Sequence, residues 1–148
     1  MKIKASTFFS PSEKEDIKMA IRQAELDTSG EIRVHIETTC PGDVLERASR
    51  LFEKLDMHKT QLRNGILIYL AIRNRKFAII GDMGINTVVP DNFWDNIESE
   101  MLNQFRDNRF TEGLIKAIEM AGSQMKKHFP YATNDINELP DEISFNDE

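Results

Sequence analysis

The sequence predicts an α/β fold: an open layered sandwich, with a mixed central β-sheet flanked by helices, in the order α-β-α-β-β-α-α. Three observations predict it. Residues 31–37, EIRVHIE, alternate strictly, with Ile32, Val34 and Ile36 on one face. Residues 66–72, ILIYLAI, are apolar throughout, as in a central strand covered on both faces. Between them Val44, Ala48, Leu51, Phe52 and Leu55 fall at helical spacing, so the two strands are joined by a crossover helix and run parallel.

The elements follow in order. Ser10-Pro11-Ser12-Glu13 starts a helix: Ser10 caps it, Pro11 suits the first turn, and Glu13 completes a capping box. Ile17, Ala20, Ile21 and Ala24 then share one helical face, and Thr28-Ser29-Gly30 ends the helix. After the strand, crossover helix and second strand, Arg73-Asn74-Arg75 makes a short turn. Lys76 to Ile80 runs back as the antiparallel hairpin partner. Val88-Val89 is expected to add a short edge strand. Pro90-Asp91 opens the next helix, whose apolar face is Phe93 or Trp94, Ile97, Met101 and Phe105. Thr111 caps the last helix, Leu114, Ile118, Ala121 and Met125 face inward, and His128-Phe129-Pro130 ends it.

A chain of 148 residues suits one domain, here 1–130, followed by an acidic tail, 131–148. The last 18 residues hold six acids and no Lys or Arg, so the whole net charge of -6 sits in the tail. The body is neutral and carries no basic stripe, which argues against a nucleic-acid partner. The tail reads either as a disordered solubilising segment or as one whose NELPDE stretch, 137–142, folds back on the body or grips a partner. No run of about 18 apolar residues is present, so no membrane span is expected. The start, MKIKASTFFSPSEKED, lacks the apolar region of a secretory signal, and a cytoplasmic location is the expectation. No large apolar helix face is left over, and a monomer is expected.

The functional reading comes from topology. The hairpin strand runs antiparallel to the second strand, so its end, GDMGI at 81–85, lies beside the beginnings of the other two. Glu31 begins the first strand; Arg63, Asn64 and Gly65 lead into the second; Asp82 leaves the third. Thr28 and Ser29 reach this edge from the first helix, Asp56, Met57 and Thr60 from the second, and Asp91 and Asp95 from the third. Carboxylates, hydroxyls and an amide from separate segments form an oxygen-rich set, which suits a hard cation: calcium with six to eight oxygens, or magnesium with more waters. Glu31 and Asp82 are the expected ligands, with Asn64, Thr28, Asp91 or a backbone carbonyl beside them. Each acid also has a plainer reading. Asp82 can cap its own turn, Asp91 can cap a helix, and Arg63 can pair with Glu31 or Asp82.

Other chemistries lack their patterns. There is no calcium loop of the helix-loop-helix type, no phosphate loop of NTPases, no G-x-S-x-G and no H-E-x-x-H. GDMGIN lacks the third glycine of a dinucleotide fingerprint. One cysteine, Cys40, excludes a disulfide framework and a multi-Cys zinc site. CPGDVLER, 40–47, is near the phosphate loop of cysteine phosphatases, but its Cys-to-Arg spacing is one residue too long and Asp43 and Glu46 would repel phosphate. His35, His58 and His128 are scattered and suggest no zinc site. Phe93 and Trp94 read as packing residues that could also wall a pocket at the polar edge.

TSGEIRVHI at 28–36, RNGILIYLA at 63–71 and FAIIGDMGI at 77–85 together resemble the TPM domain family, named for thylakoid-lumen and photosystem II repair proteins. FW at 93–94, FRDNRFTEGL at 105–114, HFP at 128–130 and NELPDE at 137–142 fit as well, so the likeness covers nearly the whole chain and is closest to the short soluble bacterial members. The resemblance implies an open α/β sandwich that binds divalent metal, calcium or magnesium, as one or two ions and with no organic cofactor. It places Glu31 and Asp82 at the metal. Plant relatives described as acid phosphatases imply an alternative activity, a metal-assisted phosphomonoesterase with Arg63 steadying phosphate. No activated nucleophile is visible, so the first expectation is a cation-binding regulatory or interaction domain with a protein partner still to be identified.

Overall fold

A computed structural model describes residues 3–26, 28–130 and 143–148. Four strands form one sheet in the order β3-β2-β1-β4: β1 is Glu31–Glu37, β2 is Gly65–Ala71, β3 is Lys76–Gly81 and β4 is Ser144–Asn146. β1 pairs parallel with β2 and with β4, while β2 and β3 form an antiparallel hairpin. The helices are α1 Ala5–Phe8, α2 Pro11–Glu25, α3 Val44–Lys54, α4 Met83–Asn86, α5 Phe93–Arg106 and α6 Phe110–His128, with a single 3-10 turn at Met57–Lys59. The mixed sheet between helices is the fold class expected, and the expected element order is present within it.

The two faces of the sheet carry different cores. Ile32, Val34 and Ile36 of β1 join Ile66, Ile68 and Leu70 of β2 under α2, α5 and α6. Leu67, Tyr69 and Ala71 project to the other side, against Ala48, Leu51 and Phe52 of α3. Burying each large aliphatic side chain contributes on the order of 2 kcal/mol. Slipping β1 by one residue would exchange its three core aliphatics for Glu31, Arg33, His35 and Glu37. The register is fixed by that cost, and with it Glu31 opposite Gly65.

Local chemistry sets the helix starts. Glu13 and Ser10 form a reciprocal capping box at α2, with Pro11 in the first turn. Asp43 caps α3 by accepting from the Glu46 amide at 2.9 Å. Three expectations are corrected. Val88-Val89 forms no strand: the chain coils there after α4, with the amides of Val88 and Val89 bonded back to Ile85 O. Asp91 precedes rather than caps α5, which begins at Phe93 after Asn92. Thr111 lies inside α6, and its hydroxyl donates to Glu13 Oε2 at 2.9 Å, tying α6 to the start of α2. Residues 143–148 return to the sheet as β4, while the NELPDE reading lies outside the described residues. Among the described residues, no helix is long and apolar enough to cross a membrane.

Candidate metal centre

Three strand ends meet where the sequence places them. Glu31 pairs with Gly65 across β1 and β2, and the Asp82 amide donates to Gly65 O at 2.9 Å. Alternation puts Glu31, Gly65 and Asp82 in one row on the α3 face. Gly65 leaves the middle of that row without a side chain. A Cβ there would lie 2.9 Å from Met57 O, so this carbonyl roofs the glycine. Strands lie about 4.8 Å apart, so Glu31 and Asp82 stand about 10 Å apart at the backbone, within the combined reach of their side chains and one ion.

Asn64 adds the atom that most needs explaining. It is 1 % exposed; its amide accepts nothing at Oδ1, while Nδ2 donates to Ser29 Oγ at 3.3 Å. Buried amide oxygens are nearly always paired, so this orphan acceptor at the sheet edge leaves room for a polar partner that the described residues do not supply. Its backbone is committed: Asn64 N donates to Thr60 Oγ1 at 3.1 Å, and Asn64 O accepts from the Glu31 amide at 3.3 Å.

Asp82 has two occupations. Its Oδ1 accepts from the Met83 amide at 2.8 Å, capping α4. Arg63 grips both oxygens, Nε to Oδ2 at 2.6 Å and Nη2 to Oδ1 at 2.8 Å. The pair raises the Arg63 pKa. The plainer sequence readings of Asp82 and Arg63 are therefore both realised, and neither removes the carboxylate from the row. An ionised carboxylate has about four lone-pair positions, so Oδ2 keeps a free one even with Arg63 in place. Arg63 is partly exposed and Asp82 is not.

The remaining expected ligands are placed differently. The Thr28 hydroxyl is hydrogen-bonded to Met125 O at 3.0 Å and to Phe129 O, and accepts from the Gly30 amide; it ties β1 to the end of α6. Asp91 is exposed and lines an open cleft of about 380 Å³ with Gly81, Asn86 and Trp94, on the α5 side of the sheet. The structure brings Glu31, Asp82 and Arg63 to the row, sets Asn64 at the same edge one residue before Gly65, and leaves these two outside it. Among the described residues, no group of three or more His, Cys, Asp or Glu side chains is placed to hold a metal ion.

At the opposite end of the sheet lies a buried cluster that sequence reading missed. Glu37 accepts from Arg47 Nε at 3.1 Å and also from its Nη2, from Tyr69 Oη at 2.6 Å and from Asn146 Nδ2 at 3.3 Å. Burial pushes the Glu37 carboxyl up, but the hydrogen bonds from Arg47 and Tyr69 and the Arg47 charge outweigh it and hold the carboxyl at about 2. Burial and the Glu37 bond push the Tyr69 phenol well above its ordinary range. His35 Nε2 lies 3.3 Å from Glu37 Oε1 and Nδ1 lies 2.6 Å from Ser144 Oγ. Burial lowers the His35 pKa against the pull of Glu37. An ionised Glu37 only accepts, so Nε2 carries the proton and Nδ1 accepts from the Ser144 hydroxyl. The signal was present as His35 and Glu37 on one strand face, yet only α3 and β4 make that face buried.

The TPM domain model matches residues 3–124. Comparison with curated proteins gives no match. Among solved structures, the chain is similar to the BA42 protein of the psychrophilic bacterium Bizionia argentinensis, at 47% identity and a TM-score of 0.86 over 93% of this chain and 94% of that one. The N-terminal domain of cg2496 from Corynebacterium glutamicum shares the fold at 15% identity, TM-score 0.67, over 90% of this chain and 83% of that one. An N-terminal domain from P. gingivalis does so at 17% identity, TM-score 0.69, over 84% and 82%.

Proposed function

The chain belongs to the TPM domain family, and on that premise we propose that it is a divalent-cation-binding domain with a regulatory or interaction role, calcium being the preferred ion. One observation carries the reading: the buried, unpartnered Asn64 Oδ1 at the same sheet edge as the buried carboxylates of Glu31 and Asp82. Glu31, Asp82 and Asn64 would hold the ion. Carboxylate, amide and carbonyl oxygens are hard donors, and irregular sets of them favour calcium over magnesium. The ion would supply positive charge between the two acids. Its binding would loosen Arg63 from Asp82, so the state of the edge would be legible to a partner. The alternative, a metal-assisted phosphomonoesterase, ranks second because its phosphate grip, Arg63, is turned onto Asp82.

The test is a titration of the metal-free protein with calcium chloride and then magnesium chloride, followed by amide shifts. Changes should concentrate at 28–31, 63–65 and 81–85. They should vanish in a folded chain carrying Glu31→Gln and Asp82→Asn. Equal calcium affinity in that double variant would overturn the reading. Phosphatase activity that survives the double substitution would belong to a contaminant.

A further inference from the structure

β3 is the outer strand of the sheet: β2 flanks it on one side, and no described strand lies on the other. Its ladder with β2 runs without a bulge. The Asp82 amide donates to Gly65 O, so Lys76, Ala78 and Ile80 turn their backbone groups to β2, while Phe77, Ile79 and Gly81 turn theirs outward. Gly81 O is met by Asn86 Nδ2 at 3.0 Å. The N–H and C=O of Phe77 and Ile79 meet no partner among the described residues. An open cleft of about 380 Å³ runs beside this edge, lined by Ile79, Gly81, Val89, Asp91 and Trp94. An open strand edge templates pairing with another strand, and proteins blunt it with Pro, bulges or charges. β3 reads KFAIIG, with Lys76 as its one charge, no Pro and no bulge.

The charges at the two ends of this edge choose the occupant. Arg75 is exposed just before β3, and Asp91 is exposed beside its other end. Neither has an ion-pair partner among the described residues. A cation at one end and an anion at the other make an edge that complements itself when turned round by a two-fold axis. We propose that β3 is a self-association edge, pairing antiparallel with β3 of a second copy of this chain about an axis at Ala78. That register alone pairs the outward groups of both Phe77 and Ile79 while sparing Gly81, whose carbonyl Asn86 already holds. Phe77 then faces Ile79 of the second copy, exchanging both N–H···O bonds, an aromatic against a β-branched side chain. The small Ala78 side chains meet at the axis. The Lys76 stem lies along half-buried Ile80 of the second copy. Arg75 falls opposite Gly81 of the second copy, beside its Asp91. A foreign strand would have to bring the same two charges in reversed order, which this chain presents already. The monomer expected from the helix faces left this strand edge out of account. One short edge pairing lies at the low end of interface sizes, so the dimer is a weak one.

The experiment uses the full chain in EDTA, so its outcome is independent of the cation reading. Sedimentation equilibrium from about 10 µM to about 1 mM should pass from monomer towards dimer mass. Over the same range the amide signals of Phe77 and Ile79 should shift and their hydrogen exchange should slow. Arg75→Asp alone and Asp91→Arg alone should each weaken the dimer by at least about fivefold, and the chain carrying both should recover it. Both positions are exposed, and Asp tolerates the left-handed backbone at residue 75, so the variants should fold. The wild-type readings stand without them. A monomer throughout the range overturns the proposal, as does a dimer whose shifts avoid Phe77 and Ile79. Failure of the double reversal to recover what each single one loses overturns the two-fold arrangement. Phe77 and Ile79 amides already slow to exchange in the dilute monomer would show the edge filled by the chain itself, and would overturn the second copy as its occupant.

Discussion

Arg63 holds Asp82 by two nearly parallel hydrogen bonds, at 2.6 and 2.8 Å, from a backbone in the left-handed region at φ 51°. That conformation costs an L-residue roughly 1–2 kcal/mol. Strain of this kind persists where surroundings over-determine it, and it gathers at functional positions. Here the surroundings are visible: Arg63 O accepts from Gly84 N at 2.9 Å, so the turn before β2 and the turn after β3 are locked face to face.

Replacing Arg63 by Ala should raise calcium affinity. In the proposed site Arg63 competes with the ion for Asp82, and removing it frees Oδ2 while Oδ1 keeps the Met83 amide. Partly exposed pairs are weak, so the gain should be about two- to fivefold by calorimetry. If Arg63 instead served a bound phosphate, the substitution would leave calcium affinity unchanged and weaken inorganic phosphate binding.

Asn64→Asp tests the orphan acceptor. A third carboxylate at the edge that holds Glu31 and Asp82 is repelled when no ion is present and, in the proposed site, rewarded when one is, since ligand charge tunes calcium affinity. The metal-free variant should melt below wild type, by about 1–2 kcal/mol of stability. Calcium should reverse the order. A loss that calcium does not recover would place the ion elsewhere.

Much of this edge is legible in the sequence. A crossover after EIRVHIE and a three-residue turn after ILIYLAI fix the strand directions, and directions alone bring Glu31, Asn64 and Asp82 to one end. What remained hidden depends on contacts rather than patterns. SFN, 144–146, is too short to show a period, and its bond from Ser144 to His35 spans 109 residues. Without β4 the sequence shows His35 and Glu37 only as alternate polar residues of a strand, with nothing to say that they are buried. Thr28 and Asp91 fail to join the row for a simpler reason. Topology assigns residues to an edge but not to one face of the sheet.

Gly84→Ala should damage the edge without touching a ligand. A Cβ at Gly84 would sit 2.2 Å from Leu62 O and 2.6 Å from Arg63 O, and backbone carbonyls cannot yield as a flexible side chain does. The expected loss is about 1–3 kcal/mol in urea unfolding, with weaker calcium binding. Gly42→Ala is the control: nothing lies within 4 Å of its added Cβ, so neither quantity should move.

Acid should unfold this protein partly through Glu37. Its carboxyl titrates near 4.5 when unfolded and at about 2 when folded. The folded value is depressed, so the stabilisation is complete above about pH 4.5 and is lost as pH falls towards 2. With the carboxylate only 2 % exposed, this is worth about 2–3 kcal/mol. His35 acts in the same sense at higher pH. Its folded pKa is also lowered, by burial first, so its contribution is full above about 6.5 and declines below that value. Glu37→Gln should flatten the acid limb below pH 4.5 while lowering stability at neutral pH, because Arg47 keeps its charge without a partner. The measurement is urea unfolding of both chains at pH 7, 4.5 and 3. A mutant curve parallel to wild type across that range would show that other carboxylates, and not Glu37, carry the acid transition.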